Sequence, residues 1–167
     1  MSQTLRTLRD RLHTLARRLG PLGPALARLT VGLVFIGTGW GKLHTLPDVT
    51  DYFASLGIPA PGLNARLAAT TEFVGGLLVL VGLGTRLAVL PLSLTMLVAI
   101  LTAKRGDIHG LTDLVGLEEW SYLVLFLWLA VAGAGPLSLD RLVAPRLERW
   151  LGLDGGKKRP PDETIPV

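Results

Sequence analysis

Cysteine is missing from all 167 residues. That excludes disulfides, thiolate metal sites, Cys-x-x-Cys redox chemistry and covalent c-type haem attachment. Iron–sulfur clusters need the same thiolates. Any redox role must therefore act through a bound cofactor or a partner. Charge is scarce as well: only 18% of the residues are Asp, Glu, Lys or Arg, and 6% are aromatic. The charges gather at the two ends and in short connecting segments. A water-soluble domain would instead spread them over its helix faces. No zinc-finger, RRM or KH pattern accompanies the formal charge of +4, so nucleic acid is not the expected partner.

Apolar residues are abundant, at 49%, and the mean hydropathy is +0.47. Four apolar runs are expected to be membrane-spanning helices, from about Ala25 to Leu43, Ala65 to Leu83, Arg86 to Ala103 and Glu119 to Leu137. Trp40, Trp120 and Tyr122 sit near run ends, as interfacial anchors do. The expected fold class is all-α, a polytopic four-helix transmembrane bundle with amphipathic flanking helices. The expected division is an amphipathic helix over 1–24, the bundle over 25–137, a second amphipathic helix over 138–153 and a disordered tail over 154–167.

Leu5, Leu8, Leu12, Leu15 and Leu19 recur at alternating spacings of three and four. Arg6, Arg9, Arg17 and Arg18 lie mostly off that stripe. The pattern predicts a helix lying on the membrane surface, with its arginines toward anionic headgroups. A partner-binding coiled coil would have only about two heptads here. Gly20-Pro21 and Gly23-Pro24 are expected to end the helix. The Arg-rich start does not have the layout of a secretory signal peptide.

Basic residues set the orientation. Thirteen of the 17 lysines and arginines fall on one side: six from Arg6 through Arg28, Arg86, and six from Arg141 to Arg159. This places both termini in the cytoplasm of an inner-membrane protein. Two outer loops follow, His44 to Asn64 and Lys104 to Glu118. Toward the other end, the stripe Leu139, Leu142, Val143, Leu147, Trp150 and Leu151 is interrupted by Pro145.

Glu72 stands in the otherwise apolar stretch Ala69–Gly82. At 100° per residue it shares a small-residue face with Ala65, Ala68, Gly76 and Val79, flanked by Ala69 and Gly75. The opposite side carries Leu67, Phe73, Val74, Leu77 and Val81. Small faces pack and bulky faces meet lipid, so Glu72 is expected to point inward. In the first run Arg28, Gly32, Phe35, Gly39 and Lys42 form one stripe, which brings Lys42 within reach of Glu72. An ionised side chain at a spanning-helix centre costs roughly 2.5–3.5 kcal/mol on insertion scales, so pairing, protonation or water must offset it. In the third run Pro91, Thr95, Val98 and Thr102 share a face; Pro91 frees a carbonyl there.

Several segments, taken in order, resemble the DoxX family of small four-span bacterial membrane proteins. They are Arg28-Leu29, Phe35-x-x-x-Gly39-x-x-Lys42-Leu43, Leu56-Gly57-Ile58-Pro59, Glu72-x-x-Gly75-Gly76, Gly82-Leu83-x-Thr85-Arg86 and Gly135-Pro136-x-Ser138-Leu139-Asp140. The resemblance covers about Arg28 to Arg141. It implies the four-span fold and a quinone-linked or redox-accessory role, the family taking its name from a relative in thiosulfate:quinone oxidoreductase. It does not itself imply catalysis by this chain.

Lys42 and Glu72 are the candidate site. Either they form a proton relay or quinone-headgroup contact, or they are a buried ion pair that fixes packing. His109, in an outer loop near Asp107 and Asp113, is the third candidate and would line the mouth above Glu72. His44 and His109 show no metal-ligand spacing, so no metal is expected. Arg28 and Arg86 read as snorkelling topology determinants, with a headgroup or partner contact as the rival. Gly39, Gly75, Gly76 and Asp140 read as structural. Gly37-x-x-x-Gly41 suits either a homodimer seam or contact within one chain. The leading functional expectation is a membrane subunit or accessory of a quinone-linked oxidoreductase, with the lipid bilayer, a redox partner or a second copy as partners. The alternative is a non-catalytic scaffold or assembly partner. Transport is the weakest reading, because no broken helix pair is present.

Overall fold

The computed structural model describes residues 3–143, with side chains from Arg9 onward. Among these residues every regular element is helical. The expected amphipathic helix over 138–153 is described only for its first turn, 139–143. The rest of it and the tail 154–167 lie outside the described residues.

α1 spans Gln3–Leu19 and α2 spans Leu22–His44, with Gly20 and Pro21 alone between them. The sequence suggested a wider break, through Pro24. Pro24 instead lies in the first turn of α2, where its missing N–H has no helical partner to lose. Pro21 itself keeps right-handed helical angles, φ −63° and ψ −24°.

The first expected outer loop contains a helix, α3, over Leu46–Ser55. Proline at its start and Asp48 in its first turn suit a helix N-terminus. Gly57, at φ +73°, closes it: the Ile58 N–H donates to the Phe53 carbonyl at 3.0 Å, a Schellman ending. α4 covers Pro61–Val81 and ends the same way, with Gly82 at φ +72° and the Leu83 N–H on the Leu78 carbonyl at 2.9 Å. α5 covers Thr85–Leu101 with Pro91 inside it. A 3-10 turn at Arg105–Asp107 and the short α6, Leu111–Gly116, occupy the second expected loop. α7 covers Glu118–Ala132. It stops five residues before the apolar run does, because Gly133 and Gly135 take φ +78° and +77° and Pro136 cannot continue a helix.

The core lies where α2, α4, α5 and α7 meet. Val31, Phe35, Val79, Val89, Leu92, Phe126 and Leu129 are buried there. Phe35 meets Phe126 and Tyr122 edge-on, with ring centroids 4.9 and 5.4 Å away, the favoured aromatic geometry. Outside this core the helices carry bare leucines, among them Leu67, Leu77, Leu87, Leu94 and Leu101. A surface so apolar suits lipid rather than water. Two helical stretches, Arg9–His44 and Pro61–Val81, are long and apolar enough to cross a membrane, and α5 is a shorter apolar helix.

Candidate functional site

α2 and α4 pack antiparallel and very closely. A Cβ on Gly32 would stand 2.8 Å from Leu80 Cβ, one on Gly76 would stand 2.8 Å from the Ile36 nitrogen, and one on Gly39 would enter the Phe73 backbone. Only glycine permits backbones this near. One turn beyond Gly39, the approach delivers Lys42 to Glu72: Nζ lies 2.5 Å from Oε1. The glutamate side chain is 3% exposed and the lysine side chain 33%. Glu72 Oε2 is buried and has no hydrogen-bond partner among the described residues.

This geometry leaves the carboxylate half-satisfied. Lys42 neutralises it from the side open to the surroundings, while its second oxygen keeps lone pairs for a donor that no described residue supplies. A buried pair of this kind gains little over an apolar contact, yet breaking it leaves an uncompensated charge. Next to it, across the outer face of the α2–α4 seam, Trp40 lies 4.2 Å from the His44 ring and 5.6 Å from the Phe73 ring.

The contacts of His109 lie within its own loop. Its ring Nδ1 is 3.9 Å from Asp113 Oδ2 and its side chain is 82% exposed. Lys104 and Glu119 pair at 3.9 Å across the start of α7. Among the described residues no three His, Asp or Glu side chains gather to hold a metal ion. Surface clefts lie along α1 beside Asp10, Arg11 and Arg18, and between Val81 and Leu137–Leu142. Neither of these borders Lys42 or Glu72.

At the other end of α2 lies a polar clamp. Arg28 does not snorkel to a surface: it is buried. Its Nη1 donates to the Leu80 carbonyl at 3.5 Å and its Nη2 to the Leu137 carbonyl. Those carbonyls lie beyond the helical hydrogen bonds of α4 and α7, and a guanidinium fork suits two at once. Asp140 caps α5. Its Oδ1 accepts from the Gly84 N–H at 2.6 Å and its Oδ2 from the Thr85 N–H at 3.4 Å, while its own N–H donates to the Gly82 carbonyl at 2.9 Å. Arg86 is exposed, as a surface arginine should be, and donates to the Val131 carbonyl at 3.1 Å, near the end of α7. The sequence marked Arg28, Arg86 and Asp140 singly. The clamp joining them was missed, because Asp140 stands in the first turn of the helix that begins at 139, where an acid ordinarily serves its own helix.

A family model described as DoxX matches residues 23–105. Inner membrane protein YqjF of Escherichia coli (strain K12) is 32% identical over 128 residues, covering 76% of this chain and 96% of that protein. Inner membrane protein YphA of the same organism is 37% identical over 123 residues, or 70% of this chain and 86% of that protein. A Bacillus subtilis (strain 168) protein named "Putative oxidoreductase CatD" is 32% identical over 124 residues, covering 73% of this chain and 87% of that protein. No solved structure matches the chain significantly.

Proposed function

Because the chain belongs to the DoxX family of membrane proteins, we propose that it is a multi-pass inner-membrane component of a quinone-linked redox system, with Lys42 and Glu72 as its headgroup contact. The observation that carries this reading is the buried Glu72 carboxylate with one oxygen paired to Lys42 and the other unpartnered. A quinone carbonyl accepts hydrogen bonds, and the Lys42 ammonium donates them. A quinone, when bound, supplies the electron acceptor that this cysteine-free chain lacks. Lys42 would hold and orient a carbonyl of the quinone, and Glu72 Oε2 would accept the hydrogen bond, and then the proton, of the hydroxyl of the reduced form. The oxidoreductase name of the Bacillus relative supports the redox class.

In this reading α2, α4, α5 and α7 each cross the membrane, both termini are cytoplasmic, and the Lys42–Glu72 pair lies toward the outer leaflet. The distribution of Lys and Arg supports that orientation. A non-catalytic assembly role is the second reading. It is favoured by α1, which precedes the family match and is exposed at every described position.

The test measures binding of a soluble quinone analogue to the purified protein, together with quinone reduction in membranes bearing Glu72→Gln. The proposal expects saturable binding and a loss of at least tenfold in either binding or turnover. Absence of binding, with quinone reduction unchanged in the variant, would overturn it.

A further inference from the structure

The leucine stripe of α1 does not end with α1. Gly20 and Pro21 interrupt the helix so little that Arg9–His44 forms a single helical stretch of 36 residues. Along it the alternation of three and four continues without error. Leucine occupies 5, 8, 12, 15, 19, 22, 26, 29 and 33. These are the a and d positions of four successive heptads, twice the length visible in α1 alone. Every one from Leu12 to Leu33 is between 45% and 60% exposed, so no other part of the described chain covers the seam.

A strict 3.5-residue repeat is not what a lone amphipathic helix needs. An α-helix drifts about 20° per heptad from such a repeat, so over four heptads the stripe would wind about 80° around a straight helix. A flat lipid surface would not follow that winding, whereas a second supercoiled helix does. Length points the same way. Thirty-six residues rise about 54 Å, and a bilayer core takes up about 30 Å of it. The leucines of α1 therefore extend beyond the core.

We propose that this seam is covered by a second copy of the chain, α1 and α2 pairing in parallel and in register to form a homodimer. Copies inserted the same way in one membrane can only run parallel. The charges tolerate that arrangement. Arg11 and Arg18 hold g positions and face Ala16 and Gly23 of the other copy, so neither meets another arginine across the seam. The remaining e positions are Thr30 and Gly37. A Cβ on Gly23 or Gly37 would touch nothing within 4 Å, which leaves room for close approach where the helix enters lipid. The area suffices as well. With on the order of 100 Å² on each of the leucines from Leu12 to Leu33, two copies cover about 1,400 Å², within the range of stable interfaces, the part beyond the bilayer core being withdrawn from water and the rest from lipid. Parallel pairing rests on the membrane-spanning reading but not on the quinone site.

The native absence of cysteine allows a direct test. Single cysteines are placed at the d position, Leu15→Cys, and on the far face, Arg17→Cys, and membranes are oxidised with copper phenanthroline. The dimer predicts a disulfide-linked band from Leu15→Cys at least fivefold stronger than from Arg17→Cys. The unsubstituted protein, measured by native mass spectrometry in mild detergent, should show a dimer that the Leu12→Lys, Leu19→Lys double variant reduces to a monomer. Equal cross-linking at both sites, or a monomeric unsubstituted protein with no Leu15→Cys band, would overturn the proposal. So would a monomer whose Leu15 spin label lies in the headgroup layer. Alkaline carbonate separates the premises: release of the chain defeats the spanning reading, while retention without cross-linking defeats only the dimer.

Discussion

Lys42 Nζ lies 2.5 Å from Glu72 Oε1, and Oε2 of the same carboxylate has no donor among the described residues. The pair is thus both a structural tie between α2 and α4 and an incomplete one. Its two sides predict different responses to substitution.

Lys42→Met strips the counter-charge from a buried carboxylate. It should cost roughly 3 kcal/mol, the low end for breaking a buried pair, because a third of the lysine meets the surroundings. Glu72→Gln keeps an oxygen acceptor and removes the charge, and should cost less. Unfolding of the purified protein by denaturing detergent checks the order. A larger cost for Glu72→Gln would contradict it.

Gly39→Ala and Gly76→Ala should each destabilise by about 1–3 kcal/mol, the usual cost of overpacking. The α2 and α4 backbones would have to part, and Lys42 with them. Gly41→Ala is the control, since a Cβ there meets nothing within 4 Å. Thermal melts of the three variants side by side test this, with Gly41→Ala expected within about 0.5 kcal/mol of the parent.

The reach of the sequence can be judged from these same residues. A period of 100° placed Arg28, Gly32, Phe35, Gly39 and Lys42 on one stripe, and Glu72 on a small face. Helix pairing through small faces then fixed their meeting. That inference works because both stripes are local properties of single helices. The clamp is not local: Asp140 caps a helix 55 residues earlier in the chain, and no periodicity encodes such a return. Arg28 misled for a related reason. At a helix end an arginine ordinarily reaches for headgroups, but here the chain after α7 folds over it and presents the Leu137 carbonyl. α3 was hidden in a short segment bounded by prolines, and the apolar run after Ala132 masked the glycines that stop α7.

Asp140→Ala should cost about 1–2 kcal/mol by uncapping the Gly84 and Thr85 N–H groups. Asp140→Asn should recover most of that, since an amide oxygen still accepts. Amide exchange at Gly84 and Thr85 reads the cap directly. Exchange unchanged in the alanine variant would refute the assignment.

Arg28→Lys keeps the charge and loses the fork. One ammonium cannot replace a planar group aimed at both Leu80 and Leu137. A loss of about 1–3 kcal/mol is expected, with faster proteolysis between Gly133 and Asp140. A fully stable lysine variant would show that charge alone matters there.

The most direct measurement is infrared difference spectroscopy of the reconstituted protein with and without a quinone analogue, with Glu72→Gln as the reference. The account predicts that quinone binding shifts a carboxyl band that vanishes in the variant, because Lys42 then shares its donors between Glu72 and the quinone carbonyl, and that reduction to the quinol shifts it further as the free Glu72 oxygen gains a hydroxyl donor. Quinone bound with equal affinity by both proteins, and no carboxyl band assignable to Glu72, would contradict it and leave the pair as packing alone.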